Sequence, residues 1–420
     1  MAGAAAAPRT PELRPSLSDP RFVLIVAGAV ALAVLPVVAF HTGQVYLISL
    51  VSRMLIFAIA AASLDLILGY GGMVSFGHAA YVGLGAYGVA VWSKYGIDNG
   101  YLQLLSAVGG SALVALAIGA VSLRTSGIYF IMITLAFTQM LYYLGISLQP
   151  FGGDDGMNTR RSDFGVFTLN DNILGPKGGQ SDGMTIYYAT LVALVASVIV
   201  LRRVVNSRFG MVIRGSHSNP VRMQAIGFPI LRYRLTAFVI SGAICGISGF
   251  LFANHQQFLS PVFMSWLRSG EIMVMVILGG MGTIYGSVIG AIGLLTLEEL
   301  LEQLAGKDYW MMVLGILLVM LAFFAKRGIW SLLPDRPEGV PRFLLGAGAV
   351  VAALGAYIWL LSAVPKLKIP WGGKTVSISP LWLILLVVVC IFLIRVWNEL
   401  RAERLERQGA GAPARGPARG

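Results

Sequence analysis

Long apolar runs separated by short polar segments dominate this chain. The runs have the length a helix needs to cross a bilayer, about 20 residues. They fall near 22–40, 45–68, 73–92, 102–123, 127–148, 185–204, 235–253, 284–300, 309–325, 343–363 and 381–397. A further run, 272–282, is too short for a crossing and reads as a half-helix or a broken span. The pattern predicts an all-α polytopic membrane protein, a helical bundle of about 10–12 transmembrane segments with broken or short Gly-rich helices among them. The first run follows a tail carrying Arg9, Arg14 and Arg21, the charge order of a signal peptide. It is longer than a signal core and lacks a small-residue cleavage site, so it reads as a retained span.

Composition agrees with that pattern. The chain is 57% hydrophobic and 12% charged, with a mean hydropathy of +0.78, whereas a soluble domain carries about 25% charge. Its 51 glycines suit closely packed membrane helices. A net charge of +12 would also suit nucleic acid, but here the basic residues cluster between apolar runs. That distribution is the footprint of the positive-inside rule and implies lipid rather than nucleic acid as the surroundings. Cys245 and Cys390 both lie inside apolar runs, which argues against a structural disulfide or a cysteine metal site.

Charge also orients the chain. The N-terminal tail, Arg124, the 202–234 loop, Lys326 with Arg327, and a C-terminal tail carrying Arg401, Arg404 and Arg407 fall on one side, expected to be cytoplasmic. The 149–184 loop, with Asp154, Asp155, Asp163, Asp171 and Asp182 against Arg160, Arg161 and Lys177, falls outside. The alternation closes only if 272–282 counts as one crossing.

The 202–234 segment holds seven arginines and no acid. Burying them would cost on the order of 20 kcal/mol, so the loop stays in water. The positive-inside rule alone accounts for the charge, but the segment also has local structure. Ser218-Asn219-Pro220 marks a turn with proline placed to open a helix. The run 221–226 is helix-like, and Gly227 is a natural stop. A short surface helix between two spans is something a partner protein can push against.

Here a family resemblance enters. Ser207-Arg208-Phe209-Gly210, Arg214, Asn219-Pro220, Ala225 and Gly227 resemble the cytoplasmic coupling loop of the branched-chain amino acid ABC transporter permeases. LTAFVISGA (235–243) resembles that family's next span, and LDLILGYGGMVSFGHAAYVGLGAYG (64–88) its N-terminal signature. RTSGIYFIMITLAF (124–137) and VILGGMGTIYGSVIGA (276–291) match further segments, all in the family's order between about residues 45 and 330. The chain departs from the family at His217 and Ser218, where members often carry a basic and an acidic residue.

The resemblance implies a permease that works with a second, homologous permease, two cytoplasmic ATPases and an extracytoplasmic substrate-binding protein. It implies a multi-pass protein of the bacterial inner membrane, with both termini cytoplasmic. No cofactor is bound directly, and ATP is used by the partner subunits. Branched-chain amino acids are the first expected substrate; other amino acids, urea, short amides and aromatic acids are carried by related importers. The domains expected are a cytoplasmic tail (1–21), a permease domain (22–330), an extension with two further spans (331–397), and a basic, disordered tail (398–420).

Two glycine-rich interruptions draw attention as elements of a substrate path. Gly69-Tyr70-Gly71-Gly72-Met73 and Gly279-Gly280-Met281-Gly282 each break an apolar stretch, 208 residues apart. By analogy with other transporters, broken helices in two halves point to the path, because unwound backbone offers polar groups at depth. Gly71, Gly72, Ser75, His78, Gly279, Gly280 and Gly282 are therefore path candidates. A packing role competes. Gly282, Gly286 and Gly290 recur every four residues, as do Gly242 and Gly246, and bare one helix face. His78 equally suits a hydrogen-bonded structural histidine. Among ionisable residues, Arg53, Asp65 and Glu271 lie in or beside apolar runs. Arg53 and Asp65 are about 18 Å apart along one helix, so they are not partners.

Three function classes remain to weigh. An importer subunit needs an outside energy source: a P-loop requires G-x-x-x-x-G-K-[ST], and at Gly373-Lys374-Thr375 its first glycine is replaced by Lys368. An ion-coupled secondary transporter would want buried carboxylates, of which Asp65 is the fair candidate. A membrane enzyme would need clustered catalytic groups, but His41, His78, His217 and His255 fall in separate segments without metal-ligand spacing, so no catalytic or metal residue is assigned.

Overall fold

A computed structural model of the protein describes residues 20–41, 45–165, 168–169, 183–305, 311–312, 314–315, 367–371 and 374–378. The expected spans at 343–363 and 381–397, most of 309–325, and nearly all of both tails lie outside the described residues. Helices α1 (Pro20–His41), α2 (Val45–Asp65), α3 (His78–Lys94), α4 (Gly100–Ser122), α5 (Ile128–Ser147) and α6 (Met184–Asn206) are followed by α7 (Arg208–Ser218) and α8 (Pro220–Ala225). Then come α9 (Ile230–Gln256), α10 (Trp266–Gly279) and α11 (Ile284–Ala305). Among the described residues, six helices are long and apolar enough to cross a membrane: α2 with its extension to Tyr70, α4, α5, α6, α9 and α11. The protein is an all-α polytopic membrane protein.

Contacts divide the chain into one unit of residues 1–299 with 324–343, and another of 300–323 with 344–420. In the second, β3 (Leu367–Trp371) and β4 (Lys374–Ile378) pair antiparallel with Trp371 opposite Lys374. Nothing in the apolar pattern announced that hairpin.

In the first unit α2 is central. Its most apolar window is 78% buried, against 22% for that of α5, whose flank meets the surroundings. Close approach of backbones holds the core, since lipid gives helices no hydrophobic reason to associate. A Cβ on Gly85 of α3 would sit 2.3 Å from Gly246 O of α9, and one on Gly249 would sit 2.0 Å from Val82 O. On the other side of α9, a Cβ on Gly242 would meet Ala115 Cβ at 2.5 Å, and one on Gly246 would meet Ser111 Oγ at 2.7 Å. Small residues at 107, 111 and 115 thus give α4 the bare stripe that α9 needs.

The termini of the spans are tied individually. Pro36 inside α1 has no N–H, which frees the carbonyl four residues earlier. Tyr187 Oη donates to that carbonyl, Leu32 O, at 2.6 Å and locks α6 to α1. Asn99 caps α4 by accepting from Tyr101 N at 3.0 Å. The 149–165 segment is stitched down rather than loose. Strand β1 (Met157–Asn158) pairs with β2 (Phe258–Leu259), and buried Ser162 donates to Gln103 Oε1 of α4 at 2.5 Å. Asn254 Oδ1 of α9 accepts from Ser162 N at 2.7 Å.

Several expected boundaries shift for local reasons. The third span begins at His78 rather than 73, because the chain from Gly71 to Gly77 stays irregular. The short run 272–282 belongs to α10, a half-length helix that starts earlier, at Trp266, and stops at Gly279. Gly282 precedes α11, so it is not on a bare face with Gly286 and Gly290 as its spacing suggested. Those two do pack closely: Cβ atoms on Gly279 and Gly290 would lie 1.9 Å from Gly286 O and 2.1 Å from Met275 O. Gly249→Val is expected to destabilise the protein by about 1–3 kcal/mol or more, read as a lower melting temperature in detergent. Gly109→Val, where a Cβ meets nothing within 4 Å, should leave it unchanged.

Candidate functional site

The two glycine interruptions, far apart in sequence, touch in space. Helix α2 widens into a π turn over Leu66–Tyr70 and then ends. Gly72 takes φ +65°, and α3 resumes only at His78. Helix α10 ends at Gly279, and the chain turns through Gly280 (φ +115°) and Gly282 (φ +78°) into α11. Only glycine adopts these positive angles without strain. At the junction, Asp65 Oδ1 accepts from Gly282 N at 2.8 Å. A Cβ on Gly69 would lie 2.1 Å from Gly282 N and 2.2 Å from Asp65 Oδ1. Asp65 is fully buried, and its Oδ2 has no hydrogen-bond partner among the described residues.

The basic loop meets the same junction. Ser207 caps α7, accepting from Gly210 N at 3.4 Å, and a Cβ on Gly210 would strike Val205 O at 2.1 Å. Arg214 Nη2 donates to Val205 O at 3.2 Å, closing α7 onto the end of α6. Asn219 Oδ1 accepts from Arg222 N at 2.9 Å, and Pro220 occupies the first turn of α8. Gly227, at φ +98°, ends it. Met223 packs its sulfur against Gly215, while Val221, Ala225 and Ile226 stay exposed. Phe209 stacks on Tyr233 with ring centroids 5.6 Å apart. His217, near the end of α7, lies directly over Gly72: a Cβ there would be 2.4 Å from His217 Cδ2.

The other path candidates divide. Gly279 is a packing residue, as above. Ser75 is buried and accepts from Gly77 N at 3.1 Å, shaping the link into α3. His78 is fully buried, with Nε2 2.8 Å from Ser241 Oγ. That hydroxyl donates to Ser63 O at 2.5 Å, so its proton is committed and His78 Nε2 is the donor. His78 ties α3 to α9 and α2. Gly71, Gly72, Gly280 and Gly282 form the turns of the breaks themselves.

The flagged ionisable residues find partners that the sequence left unnamed. Arg53 Nη2 is 3.5 Å from Glu298 Oε1, and Arg268 Nη1 is 2.5 Å from Glu271 Oε2. Arg268 had not been singled out, although its spacing of three from Glu271 on one helix was a usable sign. Four linked features (α7, α8 and the two breaks) therefore converge on one end of the bundle.

Spans interrupted at touching breaks, with a helical polar loop seated on them, make the framework of a transport permease. Residues 46–322 match the family described as branched-chain amino acid transport system / permease component, and the chain belongs to that family. It is 28% identical over 350 residues to the high-affinity branched-chain amino acid transport system permease protein LivM of Escherichia coli (strain K12), covering 77% of this chain and 80% of that protein. It is 28% identical over 309 residues to LivM of Salmonella typhimurium, covering 69% and 71%. It is 23% identical over 295 residues to LivH of E. coli, covering 67% and 92%.

Asp65→Ala is expected to leave the buried Gly282 N–H unpaired and destabilise the protein by about 1–3 kcal/mol. Asp65→Asn keeps an acceptor and should recover most of that loss. Thermal unfolding of the two purified variants checks both.

Proposed function

We propose that this chain is the membrane-spanning permease of an ATP-binding cassette importer for branched-chain amino acids or a closely related small solute. The observation that carries the reading is the seating of α7 on the first break, His217 on Gly72, with α8 presenting Val221 and Ile226 outward, 72% and 63% exposed. An ATPase that grips α8 moves α7, and α7 bears on the junction where α2 and α10 end. The chain binds no cofactor of its own in this reading. Energy comes from two cytoplasmic ATPases, a homologous permease completes the path, and an extracytoplasmic binding protein delivers the solute. The membrane is the bacterial inner membrane, with the basic loop and both termini on the cytoplasmic side.

Asp65 favours one rival. A buried carboxylate with one oxygen unpartnered is what an ion-coupled transporter would use. The two readings separate in proteoliposomes holding this chain, its partner permease, ATPases and binding protein, with labelled leucine outside and ATP inside. ATP-dependent uptake is expected. Replacing Asn219, Pro220 and Gly227 together should abolish it and release the ATPase on purification, because the cap and both ends of α8 are removed. Leucine uptake by this chain alone, driven by an ion gradient and indifferent to ATP and to the loop, would overturn the importer.

A further inference from the structure

The faces of the first unit are not equivalent. On α4 and α5 the exposed side chains include Leu105, Leu113, Tyr129 and Met132, which suit lipid. On α2, α10 and α11 apolar side chains such as Trp266, Leu267 and Ile277 are exposed too, but two ion pairs stand among them, Arg53–Glu298 and Arg268–Glu271, and Tyr46 Oη donates to Glu299 at 2.6 Å. Ionised groups at membrane depth face a water-filled path or a partner rather than lipid. The two ion pairs are neighbours, because the Arg268 guanidinium lies 5.9 Å over the ring of Phe57, one turn along α2 from Arg53. Both stand well away from the breaks. Arg268 is about 16 Å along α10 from its Gly279 end, on the side of the bundle that carries β1 and β2.

Beside Arg268 is an apolar hollow lined by Phe57, Ala79, Val82, Phe252, Phe263 and Ile272. Its chemistry is specific in combination. A guanidinium offers paired donors to a carboxylate, Glu271 is 44% exposed and accepts from an ammonium, and aromatic and aliphatic walls take a hydrocarbon side chain. We propose that Arg268 and Glu271 form a subsite for the zwitterionic head of an apolar amino acid, with its side chain in the adjoining hollow. The inference rests on the importer reading for its role in transport, while the geometry of binding stands apart from it.

The subsite is collapsed in this structure. The hollow holds about 10 Å³, room for one water, and the two charged groups neutralise each other. Admitting an isobutyl group requires α10 to move away from α2. Gly280 and Gly282, at the far end of α10, supply the hinge. The substrate then inserts its carboxylate at Arg268 and its ammonium at Glu271, replacing one ion pair by two.

Equilibrium binding of tritiated leucine to the full chain in lipid nanodiscs tests this, with isopentylamine and 4-methylpentanoate as competitors that each lack one charge. Leucine is expected to bind, and either analogue should compete at least about tenfold more weakly than unlabelled leucine. Arg268→Gln should erase the discrimination against the amine, and Glu271→Gln the discrimination against the acid. A merely structural ion pair would not produce that crossed pattern. Arg268→Lys, which keeps the charge, should retain binding and guards against misfolding as the explanation. No leucine binding up to about 10 mM, or unchanged discrimination in both glutamine variants, would overturn the subsite. Binding with the crossed pattern, but without ATP-driven uptake in the reconstituted system, would instead overturn the importer reading and leave the subsite standing.

Discussion

A helix that ends against protein leaves terminal backbone groups that a neighbour has to satisfy, and this protein ends two helices against each other. The hydrogen bond from Gly282 N to Asp65 Oδ1 joins those ends. Asp65 belongs to α2 and Gly282 to the turn after α10, so each break supplies part of the other's solution. Gly69 has to be a glycine for the same reason, since any side chain there would occupy the space of both partners. An acid at this depth is costly on its own; bonded across the junction, it fixes the positions of two half-structures.

The rest of the unit is arranged about that junction. Glycine and alanine contacts pack α3, α4 and α9 into one block, α2 packs against α9, and His78, Ser241 and Ser63 cross-link three helices. The 149–165 segment is tied by Ser162, Asn254 and β1–β2 to the far ends of the same helices. Against this block, α10 is short, broken at one end, and carries an ion pair near the other. This half-length helix carries the proposed subsite near one end and runs at the other into the two glycine turns of the junction. In the proposed importer, mechanical input and solute are coupled through this one short helix.

Much of this was legible in the sequence wherever the signal was local. Apolar length gave the spans, and glycine pairs gave both breaks. Asn219, Pro220 and Gly227 gave the start and stop of α8. The packing alternative for Gly242, Gly246, Gly286 and Gly290, and the structural alternative for His78, match the contacts found. What could not be read depends on distant partners. Nothing near Asp65 announces Gly282, 217 positions later, and nothing near Gly72 announces His217. Helix α7 was hidden because its polar surface faces water and only Gly210, Val212, Ile213 and Ser216 are buried, too few to show as an apolar run. Gly282 was assigned to a helix face by spacing alone, although its positive φ requires a turn.

The central claim is that loop and junction move together. It is tested most directly by spin-label distances in the assembled transporter, with labels at Ile226 on α8, Met281 at the junction and Leu105 on α4, all exposed positions. Between the nucleotide-free and ATP-trapped states, the 226–281 distance should stay constant while both labels shift relative to 105. A 226–281 distance that changes while 281 stays fixed relative to 105 would contradict the claim, because the loop would then move without carrying the junction.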